Sequence, residues 1–318
     1  MARIPAAVAA VRLAVRRSLP ADGLVLVACS GGADSLALAS AARFAGRSVG
    51  LVTVDHGLQE GSASRAAAVA AWAGNSGFAP VDVVTVSVAG LPGGPEAAAR
   101  TARYEALSSA AARFGAAVVL LGHTRDDQAE TVLLALARGA GPRGLAGMPY
   151  RKGIFLRPLL DVSRADTRKA CAAQGLVPWD DPHNVDPAFA RSRVRGAALP
   201  ALVEALGPAV VANLARSAGQ IAADNAALDA LACSARLSAY GKDGLSLGVS
   251  EMSVMPDAIR TRVLHAWAKE LGASGAALSH RHVEALDALI SDWHGQGPVH
   301  LPGGIQVARV RGRLVRVP

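Results

Sequence analysis

Four times in the first 140 residues the chain repeats one order: a short apolar run, a polar turn, then a stretch of helical length. The runs are Leu24 to Ala28, Val49 to Val54, Val81 to Val86 and Ala117 to Leu121, and the helical stretches are Ser35 to Phe44, Ser62 to Asn75, Glu96 to Phe114 and Asp127 to Arg138. Runs of about five residues that are apolar on both sides belong in a sheet covered on both faces. Their alternation with helices predicts an α/β fold, a parallel sheet wrapped by helices. In such a sheet ligands bind beyond the carboxyl ends of the strands, where the strand order switches. The turns that follow the strands are therefore the places to look for chemistry.

A further strand and helix, Ile154 to Leu156 and Ser163 to Gln174, extend the pattern, with a Gly, Pro and Arg-rich loop from Arg138 to Gly153 and a breaker-rich segment from Trp179 to Pro187. From Pro200 to Tyr240 the spacing predicts one long Ala-rich helical spacer. Beyond it two helices (Pro256 to Leu271, His280 to Ser291) mix with strands at Pro298 to Leu301, Gln306 to Val310 and Arg313 to Val317. The expected organisation is a catalytic domain over 1–200, a helical linker over 201–240 and a small α+β domain over 241–318.

Composition settles the class. Of 318 residues 69 are Ala, so the mean hydropathy of +0.29 is alanine rather than a membrane span, and no run approaches the roughly 18 apolar residues a span requires. The stretch Ile4 to Leu19 carries Arg12, Arg16 and Arg17 within and after its apolar part, the wrong order for a secretory signal, and reads as an amphipathic helix of a cytoplasmic protein. Three cysteines, at 29, 171 and 233, lack metal spacing and fit reduced thiols, Cys29 and Cys171 as core residues. The net charge is +8, of which +7 lies in the first 200 residues, a balance that suits a polyanionic partner or a solvated Arg-rich surface.

The sharpest motif is Ser30-Gly31-Gly32-Ala33-Asp34-Ser35, between the first strand and its helix. Two glycines let the backbone close on a ligand, successive N–H groups make an anion nest, and the helix start adds partial positive charge. Ser30 and Ser35 offer hydroxyls to phosphate, and Asp34 makes sense if it reaches a Mg2+ that bridges phosphates. A plain capped turn is the competing reading. The loop is neither GxxxxGK[ST] nor GxGxxG.

After the second strand, Val54-Asp55-His56-Gly57-Leu58 offers either a nucleoside seat or a simple turn, and spacing alone favours the turn. After the fourth strand comes His123-Thr124-Arg125-Asp126-Asp127-Gln128-Ala129-Glu130. Asp127 and Glu130, three apart on a helix, share a face that points back at the strand ends. There they suit a cationic amine or a metal, with His123 as hydrogen-bond or proton-transfer group. Acids in a first helical turn also suit the helix dipole on their own.

SGGADS resembles the signature of the ATP pyrophosphatase (PP-loop) superfamily, whose members cleave ATP between the α- and β-phosphates. With VDHGL at 54–58, EAAARTARYEAL at 96–107, GHTRDDQAETVLLALARGAGPRGLAGM at 122–148, the block from Leu156 to Arg195 and VHLPGGIQVARVRGRLVRV at 299–317, the chain resembles the tRNA(Ile)-lysidine synthases. The resemblance implies a PP-loop, adenine nucleotide alpha hydrolase-like fold and a ligase that forms a carbon–nitrogen bond. Carbon 2 of the wobble cytidine in tRNA(Ile) with a CAU anticodon is adenylated with ATP, and free L-lysine then displaces AMP.

By the same resemblance Ser30, Gly31, Gly32, Ala33, Asp34 and Ser35, with Val54, Asp55 and His56, hold ATP, and Asp34 holds Mg2+. Asp34, His123, Asp126, Asp127 and Glu130 are the implied catalytic group, the last two meeting the lysine ammonium. Arg100 and Arg103 are implied for substrate or tRNA, and Arg191, Arg193 and Arg195 for tRNA phosphate, ATP or the reacting base, a solvated helix start being their competing reading. Arg138, Arg143, Arg151 and Lys152, in the Gly and Pro-rich loop beside the site, suit a grip on tRNA phosphate. The C-terminal Arg309, Arg311, Arg313 and Arg316 alternate along a hairpin and are expected on one face, as a tRNA surface or as edge protection. Two departures stand out: Asp181-Pro182-His183-Asn184 where the family pattern has Asp-x-Ser-Asn, and Arg191-Ser192-Arg193 where it has Arg-Asn-Arg. The length further implies a short form without the additional C-terminal domain of longer members. The competing readings are a tRNA cytidine 2-thiolating enzyme, which uses clustered cysteines, and a non-catalytic nucleotide or tRNA-binding module.

Overall fold

The computed structural model describes residues 4–45, 48–57, 61–87, 94–181, 186–241, 245–275 and 277–317. Leu58 and the Pro182-His183-Asn184 departure lie outside the described residues. The chain divides into two compact units, Met1–Ala222 and Ala223–Pro318.

In the first unit the sheet runs β3 (Val81–Thr85), β2 (Val49–Asp55), β1 (Leu24–Ala28), β4 (Ala116–Leu120), β6 (Phe155–Leu156), β5 (Arg151–Lys152). All neighbours are parallel except β5, an antiparallel edge strand inside the stretch expected to be loop. Another part of that stretch, Pro142–Leu145, is a short helix, α6, and Gln128 ties the following residues down by exchanging two hydrogen bonds with the Met148 backbone. Strands 1 to 3 step outward in one direction and β4 returns to the other side of β1. The strand order therefore switches between β1 and β4, and the region beyond their carboxyl ends is the crevice in which sheets of this kind bind ligands.

Both faces of the sheet are apolar, as the unbroken Val and Leu runs require. Val25 and Val27 pack with Val8, Val11 and Val15 of α1 (Ala6–Ser18), Leu36 of α2 (Ala33–Phe44), Val69 of α3 (Ser62–Asn75) and Ala170 of α7 (Arg164–Ala173). Leu26 and Val119 face the other way, onto Leu107, Ala110 and Ala111 of α4 (Gly94–Phe114). Cys29 and Cys171 are buried in the first of these cores. After α5 (Arg125–Ala137) and α7 comes α8 (Ala190–Arg193), which continues through a π turn (Val194–Ala198) into α9 (Leu199–Leu206).

The expected single spacer helix is two: α9 stops at Gly207, whose φ of +85° no helix accommodates, and α10 (Val210–Ala239) starts anew. Among the described residues no single helix is long and apolar enough to cross a membrane.

The second unit holds a four-stranded antiparallel sheet in the order β7 (Leu247–Gly248), β10 (Arg313–Val317), β9 (Ile305–Val310), β8 (Val299–Leu301). Its core joins Val307 and Leu314 of the sheet to Trp267 of α12 (Asp257–Glu270) and Leu286 and Leu289 of α13 (His280–Ser291). β7 and the short α11 (Val249–Ser253) carry too little sequence pattern to be foreseen. The C-terminal arginines do not share a face. Arg309 lies opposite Leu314 and Arg313 opposite Val310, so the pleat turns Arg309 and Arg313 to opposite sides. Arg309 donates to the Leu289 carbonyl, Arg313 to Ser246, and Arg311 sits at the turn with φ +49°.

Candidate active site

The loop after β1 folds on itself to begin α2. Gly31 has φ +84°, and a Cβ there would sit 3.0 Å from Val69 Cγ2, so both backbone and space require glycine. The Ser35 hydroxyl donates to the Gly32 carbonyl at 2.9 Å and accepts from the Ser30 N–H at 3.2 Å. Ser35 is thus a strut inside the loop, where a phosphate-facing hydroxyl was expected; Ser30 remains exposed. Across the crevice Gly122, just past β4, packs so tightly that a Cβ would lie 3.1 Å from the backbone of Asp34 and Ser35.

Asp34 is held by α7. Thr167, fully buried, donates its hydroxyl to Asp34 Oδ1, and Arg164 Nε lies 3.8 Å from Oδ2. Burial pushes the Asp34 carboxyl up to about 6, the Thr167 hydrogen bond and then Arg164 pulling the other way. A half-buried carboxylate held by one hydroxyl and one distant guanidinium fits a bound cation. No group of three or more His, Cys, Asp or Glu able to hold a metal occurs among the described residues, so a cation at Asp34 would take its remaining ligands from phosphate oxygens and water.

The third element is the start of α5. Thr124 caps it: Asp127 Oδ2 accepts the Thr124 N–H at 2.8 Å and its hydroxyl at 2.9 Å, a capping box that fixes the carboxylate. Asp127 Oδ1 and Glu130 Oε1 then meet on one guanidinium, Arg164, at 2.7 and 3.1 Å. Arg195 closes the cluster with Nε to Glu130 Oε1 at 2.7 Å and Nη2 to Oε2 at 3.0 Å, and Arg191 Nε stands 3.6 Å from Oε2. The charge of Arg164 leads the influences that keep the buried Asp127 below the usual carboxylate range despite its desolvation. Asp126 stands apart from the pair, its Oδ2 accepting the Arg164 backbone N–H at 2.8 Å at the start of α7.

Of the arginine triplet, Arg191 and Arg195 converge on Glu130, whereas Arg193 turns away to the carbonyls of Pro187 and Ala188. Alternate positions would share a face on a strand; on a helix positions four apart do. Burial drives the His123 imidazole down to about 3, with Arg157, Arg100 and Arg103 adding to the effect against the pull of Asp127, so it is neutral at physiological pH. Burial likewise lowers His56, with the charge of Arg103 adding to the effect and that of Asp55 opposing it. Asp55 accepts the Gly57 N–H at 3.0 Å, which shapes the turn; Val54 is half-buried in β2. Arg100 lies over the Tyr104 ring, and Arg138 and Arg143 are exposed.

Sequence reasoning missed Arg164, Thr167 and Arg157. The first two, with Cys171, recur at i, i+3 and i+7 along α7, a spacing that lays them on one face; Cys171 Sγ donates to the Ala33 carbonyl at 3.3 Å. Arg157, 2% exposed, links Tyr104 to the Pro149 carbonyl.

Residues 10–202 match the PP-loop domain family, and 247–315 match the TilS substrate binding domain. A tRNA(Ile)-lysidine synthase of Salinispora tropica is 63% identical, covering 100% of this chain and 98% of its own length. The chain belongs to the tRNA(Ile)-lysidine synthase family. Another lysidine synthase, from Thermobifida fusca, is 53% identical over 98% of both chains. The solved U34-tRNA thiolase NcsA from Methanococcus maripaludis, with its [4Fe-4S] cluster, shares the fold at a TM-score of 0.55 and 17% identity, covering 68% of this chain and 80% of its own. The PP-loop match falls on the first unit and the substrate binding domain match on the second, antiparallel-sheet unit.

Proposed function

We propose that the crevice between β1 and β4 carries out ATP-dependent ligation of free L-lysine to carbon 2 of the wobble cytidine of tRNA(Ile) with a CAU anticodon. The observation that carries this reading is the meeting, beyond two neighbouring strand ends, of a glycine-rich anion nest with a buried acid cluster. The loop from Ser30 to Ser35 receives the ATP phosphates on its backbone N–H groups and the start of α2. Asp34 is the residue for Mg2+, which when bound would neutralise phosphate charge as pyrophosphate departs. Val54, Asp55 and His56 line the nucleoside end.

In the first half-reaction the base oxygen on carbon 2 bonds to the α-phosphorus and the bond to pyrophosphate breaks. In the second the lysine ε-amine bonds to carbon 2, AMP leaves with that oxygen, and the amine gives up a proton. Asp127 and Glu130 are the acids offered to the incoming ammonium. His123, kept neutral, is a hydrogen-bond partner beside the reacting base rather than a second cation. A base must leave its stack to reach such a centre, and Arg100, Arg103, Arg138, Arg143, Arg191 and Arg195 are the residues for gripping phosphate around it. A tRNA substrate and soluble small molecules suit a reaction in the cytoplasm.

The thiolation alternative draws less support. Burial raises the Cys29 thiol and pushes Cys171 up to about 11, which makes both poor nucleophiles, and Cys233 lies in the other unit. The proposal is tested with Asp34→Ala and Asp127→Ala. Each is expected to abolish lysidine formation with an unchanged circular dichroism spectrum; full activity in both would show the site to lie elsewhere.

A further inference from the structure

The acid pair offered to the ammonium is already engaged. Thr124 takes Asp127 Oδ2 through two hydrogen bonds, so Oδ1 is the oxygen left for a cation, and it carries Arg164 Nη2 at 2.7 Å and Arg195 Nη2 at 3.4 Å. Glu130 is 0% exposed beneath Arg164, Arg191 and Arg195. The Asp127 oxygen left for a cation is therefore taken, and an ammonium bound to it would have to share it with two guanidiniums.

One guanidinium has somewhere else to go. Arg195 grips both Glu130 oxygens in a fork, the geometry hardest to break. Arg164 reaches Glu130 through a single oxygen at 3.1 Å, and its Nε already lies 3.8 Å from Asp34 Oδ2. Asp126 fixes the Arg164 backbone at 2.8 Å, so the base of the side chain stays put while its head has two acidic destinations.

We propose that Arg164 is a positioning residue that occupies the ammonium seat on Asp127 and is displaced toward Asp34 when lysine binds. The inference rests on the lysine-ligation reading and deepens it. The exchange keeps Asp127 matched, because one monocation replaces another there, and the released guanidinium moves toward the Asp34 side of the ATP loop, which its Nε already approaches at 3.8 Å. It also joins the two halves of the crevice, because the group that leaves the lysine seat arrives at the ATP loop.

The test is calorimetric titration of L-lysine into the full chain and its variants, paired with lysine KM and kcat in the ligation assay. Arg164→Gln removes the occupant, and lysine affinity is expected to rise about five- to tenfold with a matching fall in KM and a loss of kcat. Arg164→Lys puts a shorter, single-point cation in the same place, and a gain of about two- to threefold is expected by the same relation. A merely structural arginine would lower Tm and kcat without tightening lysine.

Unchanged or weaker lysine binding in both variants overturns the proposal; should Arg164→Gln fail to fold, Arg164→Lys decides alone. Asp127→Asn separates this failure from that of the parent reading. If Asp127→Asn leaves lysine affinity untouched, the acid pair is not the lysine seat. If it weakens lysine while the Arg164 variants fail to tighten it, displacement alone is wrong.

Discussion

Asp34 is the residue at which function and stability pull apart. Its carboxyl rises to about 6 in the folded chain, burial being the first cause. A folded-state value above the unfolded one means that the stabilising share belongs to the protonated form. That share is complete below about pH 4 and is lost as pH rises through 6. At pH 7.5 the ionised group costs the ligand-free protein up to about 3 kcal/mol, less what its partial exposure returns. Asp34→Asn should therefore raise Tm by a margin that widens between pH 5 and 7.5, while eliminating ligation. Thermal melts at the two pH values check it, and a lowered Tm at pH 7.5 would contradict it.

His123 runs the opposite way. Held near 3, it contributes stability above pH 6.5 that fades as pH falls toward 3. At Gly122 a methyl group would press on the Asp34 and Ser35 backbone at 3.1 Å. Gly122→Ala is expected to raise the ATP KM about tenfold, or ~1.4 kcal/mol of lost binding, with lysine KM nearly unchanged. An unaltered ATP KM would show the approach to be slack. At this scale the shared face of Asp127 and Glu130 was legible from their spacing of three. Arg164 was not, because it arrives from 34 residues beyond Glu130, on another helix.

Among elements, the organising contact is the convergence of α5, α7 and α8 on Glu130. A fully buried carboxylate under three guanidiniums is costly to remove, since each arginine left behind must be desolvated without its partner. Glu130→Gln is expected to destabilise the first unit by about 3–5 kcal/mol, read as the denaturant midpoint. On α8 and its π turn, Arg195→Ala should lower kcat/KM by two or more orders of magnitude, whereas Arg193→Ala should change it less than twofold. Equal losses would mean that the helical face does not decide which arginine matters.

The alternation of runs and turns located nearly every strand and helix to within a residue or two, because a strand buried on both faces advertises itself by unbroken Val and Leu. It did not reveal α6, β5, α8, β7 or α11, which are too short to carry a period. The break at Gly207 was missed because alanine and leucine continue the helical pattern on either side of it.

For the whole molecule, the strand order 3-2-1-4 sets the crevice between β1 and β4, and that order comes from pairings between distant segments that no local pattern encodes. Charge is global too. The first 200 residues hold +7 of the +8, which favours a polyanion, and tRNA binding should weaken steeply with salt. If Arg100, Arg103, Arg138 and Arg143 each meet one phosphate, the slope of log affinity against log salt is about −3. Replacing Arg138 and Arg143 by Gln should reduce its magnitude by roughly 1.5. A flat dependence would remove the basic rim from the account.

The most direct measurement of the central claim is to incubate the protein with ATP, magnesium, radiolabelled L-lysine and either tRNA(Ile) bearing a CAU anticodon or the same tRNA with uridine at the wobble position. Lysine label should enter the CAU tRNA alone, with one AMP and one pyrophosphate released per lysine. No incorporation into an intact CAU substrate, or equal labelling of both tRNAs, would contradict it.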